Sequence, residues 1–146
     1  MATLNTTLTL TSTDAFATKT LNHSVTDALT VEAPLADIST MNTDDNIGNG
    51  AGIILAESTS TDTYFVYIKH TGKLADGTTS SHASTDFIKV TNADGDTDFI
   101  KLQPEEFAFF PLNPFDGSDG GVEPGGLKVV KGGADVVIEF AHFTRS

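Results

Sequence analysis

The chain has 146 residues, and 20 acidic against eight basic residues give it a net charge of −12. This length fits one domain with a sizeable core, and the absence of cysteine excludes disulfides and thiol chemistry. The acidic balance and the scattered basic residues disfavour nucleic acid as a partner. Neither a signal-peptide pattern nor an apolar run of about 18 residues is present, so we expect a protein made in a cytoplasm, without a membrane partner.

The apolar pattern predicts strands rather than helices. Threonine occurs 22 times, apolar residues alternate over short distances, and no segment keeps a 3.6-residue apolar period over three turns. The repeated change between strand-like and polar segments predicts eight to ten short strands. We therefore predict an all-β fold.

The opening strand has the pattern of an interaction arm. Leu4, Leu8 and Leu10 share one face of it. A strand with such a face can add to the sheet of a neighbouring subunit. We therefore expect residues 1–12 to form an N-terminal strand or arm, and residues 13–146 to form a β-sandwich domain.

Four later stretches also predict strands. Residues 16–31 are expected to form a strand that breaks near residues 26–27, and residues 53–56 a short one. Residues 64–68 and 107–110 are apolar at both alternating positions. Both faces of these two strands should therefore be covered.

Long polar loops separate the strands, at residues 42–50, 71–84 and 113–126. Loops of this length in a compact domain are usually functional or face a partner. Strands at this spacing predict a single-domain antiparallel β-sandwich, or a jelly-roll-like fold.

The motif Thr-Asp-Phe-Ile-Lys occurs twice, twelve residues apart, and predicts a hairpin. Ile88 and Ile100 can share one face only if the turn has an odd number of residues. A three-residue loop at residues 93–95 then pairs Ile88 with Ile100 and Asn92 with Asp96. This loop also ends on a glycine, which tolerates the left-handed conformation required there.

A calcium loop is the alternative for the same link, because acidic or amide residues alternate from Asn92 to Asp98. The glycine at position 95 is two places early for such a loop, and Gln103 stands where a bidentate glutamate is expected. We therefore predict a metal-free hairpin.

A second hairpin is predicted near the end of the chain. Residues 127–131 and 134–138 flank Gly132-Gly133, which can form a two-residue turn. This turn pairs Val129 with Val136. The last strand should then continue and lie within a sheet.

The histidines and acidic residues do not form a recognisable catalytic motif. The four histidines stand alone, without a paired ligand at metal spacing, and we expect each at the surface or at a strand end: His23, His70, His82 and His142. Although His82 lies near Ser80, Ser81 and Asp86, no nucleophile-elbow pattern supports a catalytic triad. We expect no catalytic residue and no cofactor, and hence no enzyme.

The longest loop holds the remaining candidates. Asp116, Asp119 and Glu123 could form a weak calcium site, with a flexible acidic turn as the alternative. Phe115 is an apolar residue in the same loop and, with the three leucines of the opening strand, completes our set of candidate interaction residues.

Residues 63–72, Thr-Tyr-Phe-Val-Tyr-Ile-Lys-His-Thr-Gly, and residues 99–112, Phe-Ile-Lys-Leu-Gln-Pro-Glu-Glu-Phe-Ala-Phe-Phe-Pro-Leu, carry a resemblance. Together they resemble small virion proteins of tailed phages, especially marine cyanophages. In that pattern a tyrosine-rich strand ends in an "IKNTG"-like turn, and a later "L-x-P-G-E-F" segment leads to an aromatic strand. Here His70 replaces the asparagine and Glu105 the glycine. Glutamate resists the positive φ that glycine could adopt in the second turn.

The resemblance implies a non-enzymatic virion structural protein. We expect a capsid decoration or cement protein that bridges major capsid subunits on the outer surface of the particle. Its partners would be the major capsid protein and copies of itself in a homo-oligomer. A tail, collar or fibre-base component is the alternative within this class, and a carbohydrate-binding jelly-roll module is the alternative from another class.

Overall fold

The computed structural model describes residues 1–16, 19–32, 38–43, 53–55, 63–92, 97–112 and 126–145. These ranges contain ten strands, namely β1 (Ala2–Phe16), β2 (Lys19–Val31), β3 (Ser39–Asn42), β4 (Ile53–Leu55), β5 (Tyr64–Leu74), β6 (Ile88–Asn92), β7 (Asp98–Leu102), β8 (Phe107–Leu112), β9 (Leu127–Lys131) and β10 (Val136–Thr144). Over the same ranges, no helix is long and apolar enough to cross a membrane.

The chain divides into two compact units. The first comprises Met1–Leu35 with Arg145–Ser146, and its strands β1 and β2 form an antiparallel hairpin. The second comprises Ala36–Thr144 and contains strands β3 to β10. The boundary predicted after residue 12 falls inside β1, which continues to Phe16.

The second unit is a β-sandwich with the pairing of a jelly roll. Its eight strands pair first with last and then inwards, β3 with β10, β4 with β9, β5 with β8 and β6 with β7. Two further pairings, β10 with β5 and β9 with β6, complete two four-stranded antiparallel sheets. Such a long folded-back hairpin, rolled so that its strands alternate between two sheets, is a jelly roll. The predicted all-β antiparallel sandwich is therefore confirmed.

The core lies between the two sheets. Strand β5 shows the alternation that this requires, because Val66 and Ile68 are buried in the core with Ile88 and Val90 of the opposite sheet. The remaining buried members come from four other strands, and they are Leu102, Leu112, Leu127, Val129, Val136 and Ile138. Burying these side chains away from water is the main force that holds the sheets together.

The hairpin of the repeated motif is present, but its register is not the one predicted. Ile88 pairs with Leu102 and Val90 with Ile100, so the shared face is correct and the pairing is displaced by two residues. A bulge accounts for part of this displacement, because Thr91 pairs with Asp98 and leaves one extra residue in β7. The loop is therefore closed between positions 92 and 97, and residues 93–96 lie outside the described residues.

The hairpin predicted around Gly132-Gly133 is wrong. Strand β9 pairs with β4 and β6, whereas β10 pairs with β3 and β5 in the other sheet. The two glycines therefore carry the chain from one sheet to the other. They also pass close to the loop between β5 and β6. A Cβ atom on Gly132 would lie 2.5 Å from the Phe87 ring, and one on Gly133 would lie 2.6 Å from Asp86 Oδ1.

Three smaller expectations have different outcomes. Strand β2 continues through residues 26–27 without the predicted break.

Both faces of β5 are largely covered, with Val66 in the core and Phe65 buried on the opposite face. The corresponding face of β8 is not covered, since Phe107 is 61% exposed. The polar loop predicted from residue 71 begins only after Leu74, where β5 ends.

Candidate interaction surfaces

The N-terminal hairpin is a ribbon with two chemically different faces. Eleven consecutive residue pairs, from Ala2–Val31 to Ser12–Leu21, join β1 to β2. One face carries the apolar pairs Leu4–Leu29 and Leu8–Val25, and we call it the apolar ribbon face. The other face is a ladder of small polar pairs, among them Thr3–Thr30, Thr7–Thr26, Thr9–Ser24 and Thr11–Asn22.

Hydroxyl groups join the strands on the polar face. The side-chain oxygens of Thr7 and Thr26 lie 3.1 Å apart, and those of Thr9 and Ser24 lie 3.2 Å apart. Such cross-strand pairs favour the sheet because threonine suits extended backbone and its hydroxyl finds a partner. The high threonine content of this segment is thus explained by the ribbon itself.

The middle of the apolar ribbon face is open to solvent. Leu8 is 51% exposed, Leu10 is 44% exposed and Val25 is 48% exposed. Leu4, the third predicted interaction residue of β1, is half-buried and pairs with Leu29. The structure thus places Leu4, Leu8 and Leu10 together on one face. The other predicted residues, Phe115 and the calcium candidates Asp116, Asp119 and Glu123, lie outside the described residues.

Sequence reasoning missed the β2 half of this face. Leu21, Val25 and Leu29 continue the same alternation on the second strand. The expected break at residues 26–27 hid this pattern. The spacing between these three residues is the signal that could have found it, since alternation on both sides of a short link is typical of a hairpin.

A second apolar surface lies on the outer face of the sheet that contains β5 and β8. Phe107 and Phe109 project from β8, and the Phe109 ring stacks on Phe65 with centroids 6.0 Å apart and an interplanar angle of 11°. Tyr67 lies opposite Phe109, and its hydroxyl donates to Glu139 Oε2 at 3.3 Å. Partial burial and the adjacent Glu139 carboxylate raise the pKa of Tyr67. This aromatic face has one acidic group at its side.

His70 is a structural histidine rather than a surface residue, which corrects the expectation for it. Its side chain is fully buried on β5, and its Nδ1 accepts a hydrogen bond from the Gly72 amide at 3.0 Å. The proton must therefore be on Nε2, which donates to the Asp86 backbone oxygen at 2.6 Å. His70 thus holds the 75–87 loop against β5.

The Asp86 carboxylate completes this attachment. It accepts hydrogen bonds from the Ala134 amide and from the Ser81 hydroxyl, which lies 2.8 Å from Oδ2. These two bonds lower the pKa of Asp86, with the Ala134 amide as the larger cause. Although serine, histidine and aspartate meet here, the serine donates to the carboxylate and not to the imidazole. Ser81 is also buried, so the group lacks the geometry of a nucleophile activated by a base.

The other three histidines lie apart from one another along the described part of the chain. His142 is half-buried beside Tyr64, whose ring meets it edge-on at a centroid distance of 5.9 Å. His23 and His82 are exposed, in β2 and in the 75–87 loop. Among the described residues, no group of three or more histidine or acidic side chains could hold a metal ion.

Fold and surfaces together define the chain as an antiparallel jelly roll with an amphipathic β-ribbon at its N-terminus. Comparisons with known protein families, with curated proteins and with solved structures find no match.

Proposed function

We propose that this protein is a non-enzymatic structural component of a tailed-phage virion, namely a capsid decoration or cement protein. It would bind the outer surface of the capsid through the major capsid protein and through further copies of itself. The observation that carries the proposal is the apolar ribbon face, whose central residues Leu8, Leu10 and Val25 are open to solvent. A two-stranded ribbon is only marginally stable in water, so this face gains stability when a partner covers it.

Three other features support the same function. A jelly roll is a frequent architecture of viral capsid proteins. The net charge of −12 disfavours contact with packaged DNA and suits an outer surface. Residues 63–72 and 99–112 also resemble segments of small phage virion proteins, which have the same kind of structural function.

Counting copies on purified particles tests the proposal. A decoration protein covers a closed lattice, so its copy number should follow that of the major shell protein. Quantitative mass spectrometry should therefore give a copy number proportional to that of the major shell protein, as expected for a component that covers the whole shell. A few copies per particle, retained on isolated tails, would instead establish the tail, collar or fibre-base alternative. Absence from particles would overturn the virion function.

A matched pair of variants tests the binding surface. Leu8→Glu places a charge on the apolar ribbon face, and Thr9→Glu places the same charge on the polar face one residue later. Particles that lack the protein should rebind the Thr9→Glu chain and lose most binding of the Leu8→Glu chain. Equal binding of the two variants would show that another surface makes the contact.

The aromatic face supports a second candidate function, carbohydrate binding. Exposed aromatic rings with a hydrogen-bonding group beside them can stack on a sugar, and here Phe107 and Phe109 lie near the Tyr67–Glu139 pair. Binding of the purified protein to a glycan array, abolished by Phe107→Ala and unaffected by Leu8→Glu, would favour this candidate over the first one.

A further inference from the structure

The central part of the apolar ribbon face consists of three rows of paired residues. Leu8 and Val25 form the middle row, Thr6 and Asp27 form the row on one side, and Leu10 and His23 form the row on the other side. The apolar middle is thus flanked at one end by a carboxylate and at the other by an imidazole. Because the two ends of the face carry different groups, only a surface with complementary groups in the matching order can cover it.

A second copy of the same face meets this restriction. Consider two ribbons stacked face to face, related by a two-fold axis perpendicular to their strands and passing over the middle row. The operation reverses the order of the rows and keeps β2 above β2. Each Asp27 then faces the His23 of the second copy, while Leu8 faces Leu8 and Val25 faces Val25. An imidazole donates a hydrogen bond to a carboxylate whether it is neutral or charged.

We propose that two copies of the protein associate through the apolar ribbon faces of their N-terminal hairpins, in this two-fold arrangement. The opposite ends of the face complement each other, and the apolar centre is self-complementary, as an isologous contact requires. The inference specifies the contact between copies that the proposed function includes, and it is tested on the isolated protein, separately from binding to particles.

The size of the face sets the expected strength. Six rows of paired residues span about 35 Å along the strands, and the ribbon is about 10 Å wide. Two such faces bury on the order of 700 Å² in total, which is less than the roughly 1,200 Å² of stable specific complexes. The dimer should therefore be weak in dilute solution and become populated at high concentration, or where copies are held close together.

Sedimentation analysis of the full-length chain, from micromolar to millimolar concentration, tests the association. The wild-type protein should dimerise, and His23→Asp should weaken dimerisation by about tenfold, because it places two carboxylates opposite each other. Asp27→His removes the carboxylate and should also weaken it. The double variant H23D/D27H exchanges the two groups and should restore most of the affinity. Failure of the exchange to restore dimerisation, or a wild-type chain that stays monomeric throughout, would overturn the proposal.

Cross-linking tests the geometry separately, and the chain suits it because it contains no cysteine. Facing sheets lie about 10 Å apart, a distance that a short bifunctional maleimide spans. Chains with L8C should cross-link to each other, and chains with H23C should cross-link to chains with D27C. The neighbouring variant T9C, on the polar face, is the control and should remain uncoupled. Equal coupling of L8C and T9C would contradict the face-to-face arrangement, and far-ultraviolet circular dichroism would verify that each variant is folded.

If the face instead binds only a different protein, the isolated chain will remain monomeric while Leu8→Glu still prevents binding to particles. This outcome would reject self-association and leave the proposed binding to the capsid intact. If the isolated chain dimerises but is absent from particles, self-association is supported and the proposed virion function is rejected.

Discussion

At the scale of single residues, Glu105 adopts a backbone conformation that usually requires glycine. Its φ is 72°, and the turn is closed by a hydrogen bond of 3.0 Å from the Glu106 amide to the Gln103 oxygen. Proline at the second turn position followed by positive φ at the third is the geometry of a type II turn. The Glu105 amide also donates to the His70 oxygen at 3.0 Å, which fixes the turn on β5. The turn therefore adopts a shape that glycine usually provides, and the positive φ strains Glu105.

We expect Glu105→Gly to be more stable than Glu105→Ala by about 0.5 to 1 kcal/mol in free energy of unfolding. Both variants remove the carboxylate, but only glycine removes the strain of positive φ, which outweighs its greater entropy in the unfolded chain. The same pair at Glu106, whose φ is not positive, is the control and should show the reverse order. Urea denaturation measures all four variants, and equal order at both positions would contradict the strain.

The side chain of His70 makes a hydrogen bond that an asparagine side chain could also make. Its Nδ1 accepts a hydrogen bond from the amide of Gly72, two residues later, as the side-chain oxygen of asparagine does in an Asx-turn. The imidazole also reaches the Asp86 oxygen through Nε2. Histidine thus supplies the local bond of asparagine and adds a bond to the neighbouring loop.

His70→Asn should consequently retain one of two hydrogen bonds and lower the free energy of unfolding by about 1 to 3 kcal/mol. His70→Ala loses both bonds and leaves the buried Gly72 amide unpaired, so it should cost a further 1 to 3 kcal/mol, roughly. Denaturation by urea at neutral pH measures the difference. If asparagine proved as costly as alanine, the shared role in the turn would be rejected.

At the scale of elements, the passage from β9 to β10 depends on glycine because of packing rather than backbone conformation. The Phe87 ring fills the space where a Gly132 side chain would lie, and the Gly132 amide donates to the Phe87 oxygen at 2.8 Å. The Lys101 ammonium group lies over the same ring, 3.8 Å from the ring centroid. Phe87 thus connects the glycine passage to β7.

Gly132→Ala should lower the free energy of unfolding by about 1 to 3 kcal/mol, because its methyl group overlaps the Phe87 ring. The cost should fall in a Phe87→Ala background, and this coupling, measured by a double-mutant cycle, identifies the overlap as its cause. Gly77→Ala is a useful comparison, since Gly77 has positive φ but open space around it. A Gly132 cost that does not change when Phe87 is removed would contradict the packing explanation.

These elements also show how far the sequence could predict the fold. Alternation correctly placed Ile88, Val90, Ile100 and Leu102 on one face, because strand side chains alternate by simple geometry. The register was not predictable, since the bulge in β7 has no signature in the repeated motif. Gly132-Gly133 has the same local chemistry in a hairpin and in a passage between sheets. Its contacts with Phe87 and Asp86, both distant in sequence, distinguish the two.

The candidate surface was half predictable for a related reason. The leucines of β1 were recognisable from their spacing alone. Aspartate is depleted in strands, so Asp27 by itself does not favour a strand that continues through it. On this ribbon the Asp27 side chain is exposed and accepts a hydrogen bond from the Ala28 amide at 2.9 Å. Its place within β2 depends on pairing with β1, which single-strand patterns do not reveal.

At the scale of the whole molecule, the two units differ in the source of their stability. Among the described residues, the ten buried members of the core cluster all belong to the unit Ala36–Thr144, which has two sheets to enclose them. The hairpin, by contrast, presents Leu8, Leu10 and Val25 to solvent. Stability is therefore expected to be concentrated in the jelly roll, while the ribbon is the part that a partner can stabilise.

A chain limited to residues 36–144 should consequently fold by itself into the jelly roll. A unit of about 110 residues with an enclosed core is large enough for cooperative folding without staples. We expect one sharp thermal transition by circular dichroism and a dispersed amide proton spectrum. In the full-length chain, amides of β1 should exchange with solvent faster than those of β5 and β6, and added partner should slow them. A disordered 36–144 chain, or β1 amides as protected as those of β5 without any partner, would mean that the ribbon already belongs to the cooperative core.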